Sequence, residues 1–197
     1  MGQATDHEIV SIYPFSEEEV DRLMSHSSEC VLMWATQDGW PVGVTHAFVW
    51  KDGKIWITFA AHRHRAAAIR RDPRVSVSVS SAGYLDPVPK GLPRGAVTFK
   101  GRAEFHDDDA TKAWFYPALS ARVSPEDEGG QTFFTNFLDS PLRTIISVTP
   151  EKRIMYNATN ANRHVAGTIS EDELGERLES DRDRMKAERE RRGLDPR

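Results

Sequence analysis

Over much of the chain apolar and polar residues alternate with a period of two, the signature of strands with one buried face. From Pro41 to Trp50, Val42, Val44, His46, Phe48 and Trp50 point one way while Gly43, Thr45, Ala47 and Val49 point the other. Lys54 to Ala60 alternates in the same manner, and the turn Lys51-Asp52-Gly53 joins the two as a hairpin. Before them Cys30 to Ala35 is a buried run, followed by the turn Gln37-Asp38-Gly39-Trp40. Val75, Val77 and Val79 alternate with serines in a fourth strand. In a fifth, Ala96 to Phe105, Val97, Phe99, Gly101, Ala103 and Phe105 share a face. Thr144 to Thr149, the turn Pro150-Glu151-Lys152 and Arg153 to Asn157 read as a closing pair.

Helical spacing is confined to short segments. Ser16-Glu17-Glu18-Glu19 is a capping box opening a helix with Val20, Leu23 and Met24 on one side. Arg63 to Arg71 reads as a helix ended by Asp72-Pro73, since the residue before proline disfavours the helical region. Asp107-Asp108-Asp109 places negative charge at the start of a helix running from Ala110 to Leu119, and Thr132 to Leu138 forms another after the polar stretch 124–131. Ser81 to Arg94, rich in proline and glycine, is a long loop of the kind that often serves function. About six or seven strands joined mostly by tight turns predict a mainly β (α+β) fold, an antiparallel barrel with a few short peripheral helices, because closure removes exposed edges.

Charge separates a tail from this body. Residues 170–197 hold ten Asp/Glu and eight Lys/Arg with few large apolar groups, and Ser170-Glu171-Asp172-Glu173 is a second capping box from which a solvated helix is expected to start. The organisation is therefore a domain over residues 1–169 and a charged helical tail over 170–197. The net charge of -4 argues against a nucleic-acid partner. No apolar run approaches a membrane span, and the first residues lack a secretory pattern, so the protein is expected in the cytoplasm. One cysteine, Cys30, excludes an internal disulfide framework and a Cys-rich metal site.

The densest polar cluster is Ala60-Ala61-His62-Arg63-His64-Arg65-Ala66, between a strand and a helix start. Helix N-termini offer unpaired N–H groups and a positive dipole end, so Arg63 and Arg65 there make a site for a phosphate or another anion. Without a ligand each cation opposes the dipole, and such a violation of a local rule marks functional sites. A solvated basic turn is the plainer alternative. His62 and His64 lie two apart in a turn and do not form a metal pair, and His46 among apolar neighbours reads as a satisfied core or interface histidine. No Gly-x-Ser-x-Gly, dinucleotide or P-loop fingerprint occurs, so no catalytic residue is assigned and redox chemistry would come from a bound cofactor.

Gly39-Trp40-Pro41, Gly43-Val44-Thr45, Trp50-Lys51-Asp52-Gly53-Lys54-Ile55, Arg63-His64-Arg65 and Ile69-Arg70-Arg71-Asp72-Pro73-Arg74-Val75 together resemble the pyridoxamine 5'-phosphate oxidase-like flavin-binding split-barrel proteins. That group includes flavin and deazaflavin oxidoreductases, and the likeness spans residues 16–157. It implies a split β-barrel that is homodimeric, with cofactor sites shared between subunits. It also implies FMN as cofactor, or alternatively coenzyme F-420, with hydride passed to or from a small-molecule substrate. Arg63 and Arg65 match the phosphate-binding positions, Thr45 matches a polar contact on the second strand, and Thr58 is a further cofactor-binding candidate. The oxidase's substrate-binding Arg-Leu-His-Asp-Arg near the C-terminus has no counterpart here. A non-catalytic flavin- or haem-binding protein, with His46, His62 or His64 on haem iron, is the alternative.

Overall fold

The computed structural model describes residues 11–81 and 92–195, and in it the period-two stretches close into a barrel. The strands are β1 (Glu29–Ala35), β2 (Pro41–Lys51), β3 (Lys54–Ala60), β4 (Arg74–Ser80), β5 (Gly95–His106) and β6 (Arg143–Asn157). They follow one another around the barrel in the order β1-β2-β3-β6-β5-β4, and every neighbouring pair is antiparallel. The helices are α1 (Glu17–His26), α2 (His64–Arg71), α3 (Asp109–Val123), α4 (Glu128–Leu138), α5 (Ala158–Val165) and α6 (Glu179–Arg191). Among the described residues no helix is long and apolar enough to cross a membrane.

Alternation sends one set of side chains into the barrel. Leu32, Phe48, Ile57, Val77, Phe99 and Ile146 are fully buried there, joined by Val20, Leu23 and Met24 of α1 and Ile69 of α2. Truncating a buried phenylalanine to alanine at such a place costs about 3–5 kcal/mol. The opposite set is covered only in part. Phe115, Tyr116 and Leu119 of α3 and Leu138 of α4 pack on Val49 and Ile145, with Trp56 at the margin. One sheet face therefore lies under α3 and α4, and the adjoining outer face carries Thr45, Ser76 and Ser78.

The charged groups of α1 fit its direction. Ser16 Oγ accepts from the Glu19 N–H at 3.1 Å, the Glu19 carboxylate accepts from the Ser16 N–H at 2.9 Å, and three glutamates occupy the first turn. At the other end of this helix Arg122 of α3 donates to the carbonyls of Met24, Ser25 and Ser27, placing a cation where the dipole is negative.

Three expectations need correction. The turn at Pro150-Glu151-Lys152 is absent: β6 runs unbroken from Arg143 to Asn157, and the register shifts where Lys100 pairs with Lys152 but Gly101 with Pro150. Glu151 is the extra residue of a bulge. A proline is tolerated beside a bulge because a ladder donor is dispensable there, and a Cβ on Gly101 would come 2.3 Å from the Thr149 carbonyl oxygen. The capping box at Ser170 serves only a three-residue 3-10 turn, Glu171–Glu173, and the tail helix starts later, at Glu179. The chain is held there by tertiary contacts, since the Gly175 N–H donates to the Ile12 carbonyl and Glu173 pairs with Arg163 at 2.5 Å. A further helix, α5, about which the residue pattern carries no expectation, follows β6 directly, its N-terminus capped by Asn157, which accepts from the Asn160 N–H. The helix expected over Thr132 to Leu138 begins earlier, at Glu128, because Asp127 caps it by accepting from the Gly130 N–H.

Candidate functional site

The segment Ala60–Arg65 leaves β3 and enters α2 with Arg63 in the N-cap position, in extended conformation. No side chain caps this helix, and its first turn contains no acidic residue. The Arg63 N–H is satisfied by the Ala60 carbonyl and the Ala66 N–H by the Arg63 carbonyl, whereas those of His64 and Arg65 find no carbonyl among the described residues. Arg63 is exposed, and no carboxylate of the described residues pairs with it or with Arg65. Two free backbone donors and two uncompensated cations thus meet at one helix start, the arrangement that binds anions.

Arg65 turns inward. Its guanidinium lies over the rings of Trp34, at 5.5 Å, and Phe59, at 5.8 Å, and Nη1 donates to Nε2 of His46 at 2.5 Å. Trp34 ends the inward row of β1, His46 belongs to the inward row of β2, and Phe59 to that of β3, so three strands build one seat for this side chain. Burial and then the neighbouring Arg63 both lower the Arg65 pKa. Burial, and then the charge of Arg65, push the His46 pKa down to about 4, while a hydrogen bond to the Thr58 backbone works the other way. An arginine can only donate, so Nε2 presents its lone pair and the neutral ring carries its proton on Nδ1.

The other predicted contacts fall elsewhere. Thr45 is exposed on the outer face of β2, paired with Val31 of β1, and does not share the face of His46 and Arg65. Thr58 is buried, and its hydroxyl donates to the Thr144 carbonyl at 2.8 Å. His62 and His64 are exposed, and among the described residues no three His, Cys, Asp or Glu side chains gather as a metal site would require. Burial pushes the Cys30 thiol far up, so it is no nucleophile. Most of the loop expected to border the pocket lies outside the described residues. Met33, Trp34, Pro41, Arg74, Ser76 and Lys100 line a groove of about 600 Å3 that neither Arg63 nor Arg65 lines, although it shares Trp34 with the Arg65 seat.

The sequence offers His46 as a core or interface histidine or, in the haem alternative, as an iron ligand, and it singles out neither Trp34 nor Phe59 for the site. Their common function is set by strand register. The available signal is that Trp34, His46 and Phe59 each fall on the inward phase of their strand, with β3 running directly into the basic segment.

A closed six-stranded antiparallel barrel with peripheral helices is the split-barrel architecture, here with an anion cradle where β3 meets α2. The chain belongs to the pyridoxamine 5'-phosphate oxidase family, whose model matches residues 16–157. No curated protein matches it in sequence. Among solved structures it is similar to a conserved hypothetical protein of Mycobacterium tuberculosis, with 20% identity over 81% of this chain and 93% of that one and a TM-score of 0.63. A heme binding protein of Mycobacterium smegmatis shares 18% identity over 73% of this chain and 55% of that one, with a TM-score of 0.55. The heme storage protein HutZ of Vibrio cholerae shares 14% identity over 72% of this chain and 93% of that one, with a TM-score of 0.51. At these identities the likeness concerns the fold alone.

Proposed function

We propose that this chain is an FMN-dependent oxidoreductase that passes hydride to or from a small molecule and holds the cofactor phosphate at the N-terminus of α2. The observation that carries this reading is the uncapped helix start bearing Arg63 and Arg65 without an acidic partner among the described residues. A bound flavin ring supplies the hydride chemistry. The protein's part is binding and orientation. The N–H groups of His64 and Arg65 and the two guanidinium groups take the phosphate charge, and Trp34 and Phe59 shelter one of those cations from water. Thr45, on the uncovered sheet face, would meet the cofactor or the second subunit of a homodimer. Thr58 would contribute through its backbone, since its hydroxyl is taken by Thr144.

Coenzyme F-420 also carries a phosphate that the same arginines would hold. Of the histidines offered for haem iron, His46 has its Nε2 lone pair occupied by Arg65, whereas His62 and His64 are exposed. The absorbance spectrum of protein incubated with each cofactor and passed through gel filtration tests the reading. Retention of the FMN band supports it, followed by turnover with reduced FMN and candidate acceptors, and a light-scattering mass of two chains supports the dimer. Retention of haem alone, or of nothing, contradicts it.

A further inference from the structure

We infer that His46 is a positioning residue, a neutral acceptor that holds the Arg65 guanidinium at the mouth of the barrel without cancelling its charge. The inference rests on the anion-binding reading above. An arginine side chain is long and rich in rotamers, so a free one loses much of its binding strength to ordering. Arg65 is held by one short hydrogen bond to His46 and by two aromatic faces. That bond uses one of its five N–H donors and leaves four for a ligand.

The chemistry of the acceptor decides what the pair can do. A carboxylate at position 46 would orient the guanidinium equally well, but its negative charge would occupy the cation and repel an incoming phosphate. A neutral imidazole orients and leaves the net positive charge intact. Burial and the adjoining cation keep this ring neutral down to about pH 4, so it remains an acceptor under ordinary conditions. The ring also lies 6.0 Å from Phe59, centroid to centroid, tilted 58° to it.

Three substitutions separate orientation from charge, read as the ratio of FMN to riboflavin affinity, because riboflavin lacks only the phosphate. His46→Gln restores a neutral acceptor near the place of Nε2 and is expected to keep the wild-type ratio within about threefold. His46→Glu, nearly the same shape but charged, is expected to lower it about tenfold or more. His46→Leu, which fills the space without an acceptor, is expected to lower it about fivefold. Unchanged riboflavin affinity shows that each variant keeps the site folded, and if the glutamate variant fails this control the Leu and Gln pair decides. Nitrogen NMR of the imidazole is expected to show Nε2 unprotonated at neutral pH. A ratio unaltered in His46→Leu, or an equal loss for both flavins, overturns the positioning role. A wild-type protein that binds FMN and riboflavin alike overturns the underlying reading instead.

Discussion

The N-termini of α1 and α2 pose the same electrostatic problem and answer it in opposite ways. In α1, Ser16 and Glu19 satisfy each other's backbone donors and three glutamates complement the dipole. In α2 the N-cap is Arg63, no side chain accepts from the first turn, and Arg65 adds a second cation. The first helix start is complete within the chain. The second spends stability to keep donors and charge available, which is sensible when an anion from outside completes it. Burial follows the same division, since Glu17 and Glu18 of α1 are exposed whereas Arg65 is drawn onto Trp34 and Phe59.

Breaking the α2 side of this comparison has the largest expected effect. Arg65→Ala should weaken FMN about 10- to 150-fold, the worth of one charge-assisted hydrogen bond, and riboflavin only a few-fold, as read by quenching of flavin fluorescence. The next effect concerns pH. The folded-state pKa of His46 lies near 4, below its unfolded value near 6.5, so between those values the unfolded chain binds more protons and stability falls on acidification. The loss should be on the order of 1–3 kcal/mol from pH 6.5 to 4, and urea titrations should show it diminished in His46→Gln.

On the α1 side, Ser16→Ala should cost about 1 kcal/mol of stability in urea while leaving FMN affinity unchanged. The smallest change sharpens the contrast most. Arg63→Asp gives α2 the cap it lacks, so stability of the ligand-free protein should rise by up to about 1 kcal/mol even as FMN binding weakens. A variant that loses stability here would mean that Arg63 supports the fold.

Much of this architecture is written locally. The Ser16–Glu19 cap, the hairpin at Lys51–Gly53 and the alternation of β4 can be read because each depends on residues within a few positions. What escaped depends on pairing. Pro150 looks like a turn until Gly101 is seen opposite it, where a missing side chain admits the Thr149 carbonyl. Ser170 looks like a helix start until Gly175 is found bonded to Ile12. The site divides likewise: Arg63 and Arg65 stand out in sequence, but the 19-residue separation of His46 from Arg65 is bridged only by the β2–β3 hairpin and the entry to α2. Thr58 resembles a site residue until β6 is placed alongside and offers the Thr144 carbonyl.

Whether the α2 N-terminus is an anion site that the sequence leaves open is decided by one titration. FMN and riboflavin affinities are measured for the wild type and for the double variant Arg63→Ala, Arg65→Ala. A wild-type preference for FMN on the order of 100-fold is expected to collapse to within a few-fold in the variant, while riboflavin affinity holds. Equal affinities for the two flavins in the wild type, or a preference for FMN that survives removal of both arginines, would contradict it.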